Sequence, residues 1–374
     1  MRFFATCARG LEKILFEELW DLGAHDIQAG RGGVSFAGEL THLYRANLYV
    51  RTAIRVLVPV LEADVQSPDE LYQAVQSLDW SQFMTPSQTL AVDCNVRDSR
   101  ITHSLFAALR VKDAICDQFI ARTGSRPSVD RERPMIGLNL HIFRNHAVLS
   151  LDSSGDSLHK RGYRPVQTRA PLNEALAAAL VLRSGWRTGT SLLDPMCGSG
   201  TLPIEAAWID IKRPPGLTRK HFGFMGWPNY QVALWTELRD EARAGMLKKL
   251  NGIIAGSDYR TDAVAHASSN ARAAGIGHLL SFERKELRDF RPPTATPPGT
   301  IILNPRYGER IGEEAELVSL YRLIGATLEQ HCQGWNCCVF TGNPRLAREI
   351  KLPAEEEVPF WNGKIACRLL RFAP

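Results

Sequence analysis

The side chains best placed for chemistry sit in three short stretches, each a strand that ends in a polar residue. Ser191 to Ala207 (SLLDPMCGSGTLPIEAA) reads as a buried strand, a glycine turn and a helix. The strand closes at Asp194, Gly198 to Gly200 form a turn nearly free of side chains, and Thr201 opens the helix. Such a turn brings backbone N–H groups close to a ligand at the carboxyl end of a parallel strand. A P-loop would need a Gly-Lys-Ser/Thr that does not follow, and the dinucleotide pattern G-x-G-x-x-G is not met. What remains is a ligand with a small charged end and a nucleoside end, a description that S-adenosylmethionine fits. Ile253 to Asp258 (IIAGSD) is a second such strand, and the two oxygens of Asp258 can bridge a pair of ribose hydroxyls. Ile301 to Tyr307 (IILNPRY) is the third, broken at Asn304-Pro305 with an aromatic two residues later.

Together DPMCGSGT and NPRYGER resemble the amino-methyltransferases, which use [DN]-P-P-[YF] to methylate exocyclic amines. LHKRGYR (Leu158 to Arg164), APLNEALAAAL (Ala170 to Leu180) and SLFAALRVKDAICDQF (Ser104 to Phe119) narrow the resemblance. It is to the bacterial THUMP-domain methyltransferases that make N2-methylguanosine in 23S ribosomal RNA, over essentially the whole chain. In many bacteria that protein continues into a second methyltransferase module, which this chain is expected to lack. One departure is Arg306, where the family usually has a second proline.

The resemblance implies a mechanism that needs neither a metal nor a covalent nucleophile. Guanine's amine is conjugated with its ring and is a poor nucleophile. Two acceptors on its hydrogens, the Asn304 side-chain oxygen and the Pro305 carbonyl, would free its lone pair by positioning and electrostatics. Tyr307 would stack on a base taken out of its helix. Around S-adenosylmethionine, Asp194 would orient the methionine amine, with Met196, Gly198, Gly200 and Thr201 beside it. Asp258 would hold the ribose next to Tyr259. Glu286 would accept from the adenine amine with Leu287 against the ring, and Asp289 competes for that role. Asn173 and Glu174, in the first turn of a helix expected to start at Pro171, either meet the methionine end or simply cap the helix.

Those residues need a scaffold, and a chain of 374 residues exceeds one ordinary domain. Residues 1–55 read as a small α+β unit, implied by the resemblance to be ferredoxin-like. The unit includes an amphipathic helix with Leu11, Ile14, Leu15, Leu19 and Trp20 on one side. Residues 56–155 read as a second unit, with strands at 56–60, 89–95 and 138–151 and a long helix over 104–122, and the resemblance implies that it is a THUMP RNA-binding domain. Pro59 makes the first of those strands an edge strand at best, and Leu105, Leu109, Val111, Ile115 and Ile120 are the helix's apolar residues. Residues 156–374 alternate strand and helix, which means a Rossmann-like, parallel doubly wound α/β sheet, closed by an antiparallel strand at 364–372.

Net charge is only +5, yet from Arg97 to Arg169 thirteen basic side chains face seven acids. That excess suits a polyanion. Arg97, Arg100, His103, Arg110 and Lys112 lie before and along the long helix. Lys160, Arg161 and Arg164 fall in a basic linker, 159–169. His221, Phe222 and Trp227 interleave aromatics with cations in an insertion over 211–230, either to stack an unpaired base or to clamp the loop. The expected partner is 23S ribosomal RNA or a ribosomal precursor particle. The rival readings are a transfer RNA guanine-N2 methyltransferase, a DNA adenine-N6 methyltransferase and a non-catalytic RNA-binding protein. Eight scattered cysteines with no C-x-x-C pair favour neither zinc nor disulfides, and Cys197 reads as a small loop residue. With no apolar run long enough to span a bilayer and no secretory leader, a cytoplasmic protein is expected.

Overall fold

The computed structural model describes residues 1–164, 172–294, 296–308 and 314–374. The expected helix start at Pro171, residues 165–169 of the linker and the end of NPRYGER lie outside them.

The N-terminal half runs β1 (Arg2–Cys7), α1 (Glu12–Asp21), β2 (His25–Gly30), β3 (Gly33–Ala37), α2 (Leu40–Tyr49) and β4 (Ala53–Asp64). It continues through α3 (Pro68–Gln76), β5 (Thr89–Arg97), α4 (Ser104–Thr123), β6 (Ser128–Val129), β7 (Ile136–Phe143) and β8 (His146–Asp152). These strands make one sheet, in the order β2-β3-β1-β4-β8-β7-β5-β6. The two units expected here are therefore joined through β4, which pairs with β1 on one side and β8 on the other. Pro59 does not mark an edge. It lies beyond Leu57, the last β4 residue paired with β1, and its register with β8 shifts between Pro59 and Leu61. A bulge relieves a proline of its ladder hydrogen bond, so an interior strand can carry one.

Two other expectations change. Residues 138–151 are a hairpin rather than one strand, turning at Arg144 and Asn145, both at positive φ. On the helices, Trp20, Leu105, Leu109 and Ile120 are exposed. Ala107, Val111, Ala114 and Ile115 form the buried stripe of α4 instead, and the small alanines let that helix sit close on the sheet.

The C-terminal half runs α5 (Glu174–Arg183), β9 (Leu192–Asp194), α6 (Thr201–Asp210), α7 (Val232–Ala244), β10 (Ile254–Asp258), α8 (Thr261–Ala273) and β11 (Ser281–Arg284). After these come β12 (Thr300–Leu303), α9 (Glu314–His331), β13 (Asn336–Thr341), α10 (Pro344–Arg348), β14 (Glu356–Asn362) and β15 (Ile365–Phe372). Strand order is β11-β10-β9-β12-β13-β15-β14, with β9 to β13 parallel. The antiparallel strand β15 does not close the sheet; it is inserted between β13 and a further strand, β14. Chain order reverses between β9 and β12, the switch point at which doubly wound sheets bind ligands.

The halves are joined by an aromatic knot. Phe222 and Phe224 are wholly buried and Trp227 nearly so. Phe224 packs 4.4 Å from Tyr44 of α2, and both phenylalanines pack 5.1 Å from Trp235 of α7. The Tyr44 hydroxyl accepts from the Gln231 N–H at 3.0 Å. Phe222 and Trp227 are thus the clamp of a long insertion, with no ring face left to stack a base. Among the described residues no helix is long and apolar enough to cross a membrane.

Candidate active site

Every residue of the glycine turn is fixed by a neighbour in the sheet. The Cys197 N–H donates to the Ser257 carbonyl at 2.9 Å, drawing the turn over β10. The Gly198 N–H donates to Asp258 Oδ2 and the Arg260 N–H to Oδ1, each at 3.0 Å. Gly200 has φ +78°, and a Cβ there would lie 3.0 Å from that of Ala267. Only glycine fits both demands. Cys197 is buried, and desolvation raises its thiol well above the usual value, so it stays neutral.

Asp194 is 2% exposed. Burial pushes its carboxyl well above the usual range and the nearby Asp258 charge adds to this, against a single N–H donated by Met196 at 3.0 Å. A buried acid held so weakly is suited to a cationic partner. Helix α6 has no side-chain cap, leaving its first N–H groups free for a ligand. Among the described residues nothing lies within 4 Å of where a Gly198 Cβ would be. Asp258 spends one acceptor site on the turn and one on the Arg260 N–H, and keeps others for hydroxyls. Tyr259 is half exposed after β10, while Glu286 at the surface and buried Leu287 follow β11. This lining fits S-adenosylmethionine: an acid for the ammonium, an acid for the diol, and apolar groups for the base.

Beside it, the pieces once counted as linker or cap form a support. Asn173 Oδ1 accepts from the N–H groups of Ala175 (2.9 Å) and Leu176 (3.2 Å), so it caps α5. Glu174 is buried 3.5 Å from Arg164 Nε, and Arg164 also donates to Thr201 Oγ1. Arg161 is 1% exposed and lies 3.6 Å from Glu205 Oε1, which is itself wholly buried and accepts from the Tyr163 hydroxyl at 3.0 Å. Arg161 and Arg164 therefore brace α6 and the glycine turn.

The acceptor side lies across the switch point. Strand β12 ends at Leu303, and Asn304 Oδ1 is a buried oxygen with no hydrogen-bond partner among the described residues. Pro305 is buried and Arg306 exposed. The Tyr307 ring meets Phe340 edge-on at 6.1 Å, and its hydroxyl accepts from Asn362 Nδ2 at 2.8 Å. Burial pushes that hydroxyl up to about 12, so it stays protonated. A Cβ on Gly342 would lie 2.9 Å from the ring. Sequence reading missed Gly342 and Asn362. The signal for Asn362 was present, since Asn362-Gly363 is a hairpin turn pair.

The remaining sequence-predicted cations are scattered over the N-terminal half. Arg97 pairs with Asp98 (3.3 Å), Arg110 with Asp69 (2.8 Å) and Lys112 with Asp113. His103 caps α4 through its Nδ1. Arg100, Lys160 and His221 are exposed.

Comparison with known proteins agrees with this architecture. Residues 161–371 match the model of the RMKL-like methyltransferase domain, 65–152 that of the THUMP domain, and 2–57 that of the RlmL ferredoxin-like domain. The ribosomal RNA large subunit methyltransferase K/L of Syntrophotalea carbinolica is 49% identical over 100% of this chain and 53% of its own length. The chain thus spans about half the length of that curated relative. The "Putative RNA methyltransferase slr0064" of Synechocystis sp. is 41% identical over 99% of this chain and 96% of its own. A crystal structure described as "SMU.472, a putative methyltransferase complexed with SAH" superimposes with a TM-score of 0.90 at 30% identity, covering 99% of this chain and 97% of the other. The glycine turn, the acid after each of two strands and the Asn-Pro break across the switch point are thus parts of a methyltransferase fold, and the chain belongs to the RMKL-like methyltransferase family, whose members depend on S-adenosylmethionine.

Proposed function

We propose that this chain methylates the exocyclic N2 amine of a guanine in 23S ribosomal RNA, in the cytoplasm. The observation that carries the reading is the orphaned oxygen of Asn304. An unpaired buried acceptor is costly, and here it stands at the broken end of β12, across the switch point from Asp194. It suits an amine hydrogen. The Pro305 carbonyl supplies the second acceptor, and together they turn the amine's lone pair toward the donor. Bound S-adenosylmethionine would supply a methyl group already activated by its sulfonium charge. Asp194 would hold its ammonium, the N–H groups at the start of α6 its carboxylate, and Asp258 its ribose. Tyr307, pinned at its hydroxyl and backed by Phe340, offers a fixed ring to a flipped base. The guanine-N2 assignment rests on the family resemblance alone; the large-subunit RNA target rests on that resemblance and on the name of the K/L relatives.

Labelled S-adenosylmethionine and RNA from cells lacking the enzyme test this, with nucleoside digestion as the readout. Label in N2-methylguanosine of 23S RNA is expected. Label in transfer RNA or in N6-methyladenosine would move the substrate or the base, and cofactor binding without any label would mark a non-catalytic RNA-binding protein.

Asp194→Asn keeps the Met196 hydrogen bond and removes a buried ionisable group. Its expected results are opposite in sign: cofactor affinity falls about tenfold or more, and the ligand-free protein gains about 0.5–2 kcal/mol. Calorimetric titration and thermal melting check them. The pH dependence follows from the raised carboxyl. Binding a cation favours its ionised form and releases a proton, so affinity climbs with pH until the raised value is passed. For stability the sign reverses. The folded state holds the proton more tightly than the unfolded chain, so stability from this group falls over the same window.

Arg306→Pro would restrict Pro305 to extended backbone and remove an exposed cation. The expected outcome is a few-fold change in kcat with weaker RNA binding; no change in either would make Arg306 neutral.

A further inference from the structure

We propose that the cleft between the N-terminal sheet and the 211–230 insertion is a second RNA site, which takes the sugar-phosphate backbone of a single strand flanking the modified nucleotide. This rests on the RNA methyltransferase reading and adds where the substrate runs.

The cleft is a cavity of about 830 Å³. One wall is the turn at 130–134, where Asp130 Oδ1 accepts the N–H groups of Glu132 and Arg133 and fixes the exposed Arg131 and Arg133. The opposite wall carries Lys160, Lys220 and His221. Lys220 and His221 directly precede Phe222, so the aromatic knot holds them in place. The floor is Arg219, whose guanidinium is spent on the carbonyls of Ser154, Asp156, Ser157 and Lys160. Burial lowers it only to about 10, so it is charged at neutral pH.

The charges do not cancel. Asp152 and Asp93 are matched to Arg55, and Asp156 to Lys160. Against Arg131, Arg133, Lys220 and Arg219 stand Glu132 and the one acid left over from the two that share Arg55, so the lining keeps a positive excess. Nearby His159 is held down to about 4 by burial first, and then by the charges of Arg161, Lys160, Arg164 and Arg219. The region of α4 and the end of β5, where sequence suggested the RNA would lie, is different, because Arg97 of β5 and Arg110 and Lys112 of α4 each have a carboxylate partner. Cations lining the walls of a cleft, with Arg219 at its floor, suit a single strand, which can enter it, better than a duplex, which meets cations on an open surface. Placement agrees. Residues 160–164 run from the cleft along α6, touching Glu205 and then Thr201 at the glycine turn. The ten residues of α6 span about 15 Å, a few nucleotides of strand.

The test is fluorescence anisotropy with the full chain, a short fluorescein-labelled single-stranded RNA and its duplex, over a range of KCl concentrations. The triple variant Arg131→Gln/Arg133→Gln/Lys220→Gln should bind the single strand at least tenfold more weakly. Its salt slope should fall by about 2, since each phosphate contact contributes roughly 0.7 for single strands. Melting temperature and S-adenosylhomocysteine affinity should not move. Arg131→Lys/Arg133→Lys should keep the wild-type slope, and Arg110→Gln/Lys112→Gln should cost less than the triple variant. An unchanged slope in the triple variant, or a larger loss from the α4 pair, overturns the cleft while leaving the methyltransferase reading standing. Wild-type protein that binds neither RNA would overturn both.

Discussion

Asn304→Ala is expected to slow methyl transfer about 10²–10³-fold, the usual cost of removing one preorganised polar group that acts on the reacting centre. The same substitution should not destabilise the ligand-free protein. The oxygen it deletes is buried and has no partner, and such a group costs about 1–3 kcal/mol, roughly offsetting the packing lost. Single-turnover kinetics, cofactor titration and thermal melting on one preparation separate these effects. Slow transfer with intact cofactor binding and an unchanged melting temperature places Asn304 on the substrate amine. If the variant turns over within a few-fold of wild type, the acceptor lies elsewhere. If it unfolds early, Asn304 is structural.

The largest effect on stability belongs to Glu205→Ala. Arg161 and Glu205 are both buried, and no other carboxylate lies within 4.0 Å of Arg161 among the described residues. Removing one partner of a buried pair leaves an uncompensated charge and costs about 3–5 kcal/mol. Tyr163 also loses its acceptor. With roughly 2–4 °C lost per kcal/mol in a domain of this size, the melting temperature should fall by about 10 °C. Replacing the pair with apolar residues of similar volume should recover much of that loss, because burying the two charges is itself costly. A fall of a degree or two would mean that water reaches Arg161.

What could be read from the chain were the features set by neighbours in sequence. Asp194, Asp258 and Asn304 each close a short apolar run, and strand ends are local events. The alternation of strands and helices, and hence the parallel sheet, was legible for the same reason. What could not be read was set by distant partners. Arg161 looks like one more linker cation until Glu205 closes on it. Phe222 and Trp227 fit an RNA platform as well as a clamp until Tyr44 and Trp235 arrive from other helices. Leu105 and Leu109 keep helical spacing but lose the buried face to alanines that pack closer. Pro59 argued against an interior strand because the bulge opposite it depends on β8. The cations of α4 and the end of β5 pair with Asp69, Asp98 and Asp113, two of them adjacent in sequence, yet a charge count registers only the excess.

The shared strand β4 also governs how this protein comes apart. Its two edges belong to two differently named families of domain, so neither can unravel without stripping partners from the other. Cutting between residues 55 and 56 would split the strand itself and leave β1 and β8 with raw edges, prone to pair with other chains. The N-terminal half should therefore exchange its core amides as one cooperative unit, and the smallest fragment able to stand alone includes everything from Arg2 to Asp152. For a modular enzyme this sets the unit of inheritance: the sheet can be gained, lost or swapped only whole.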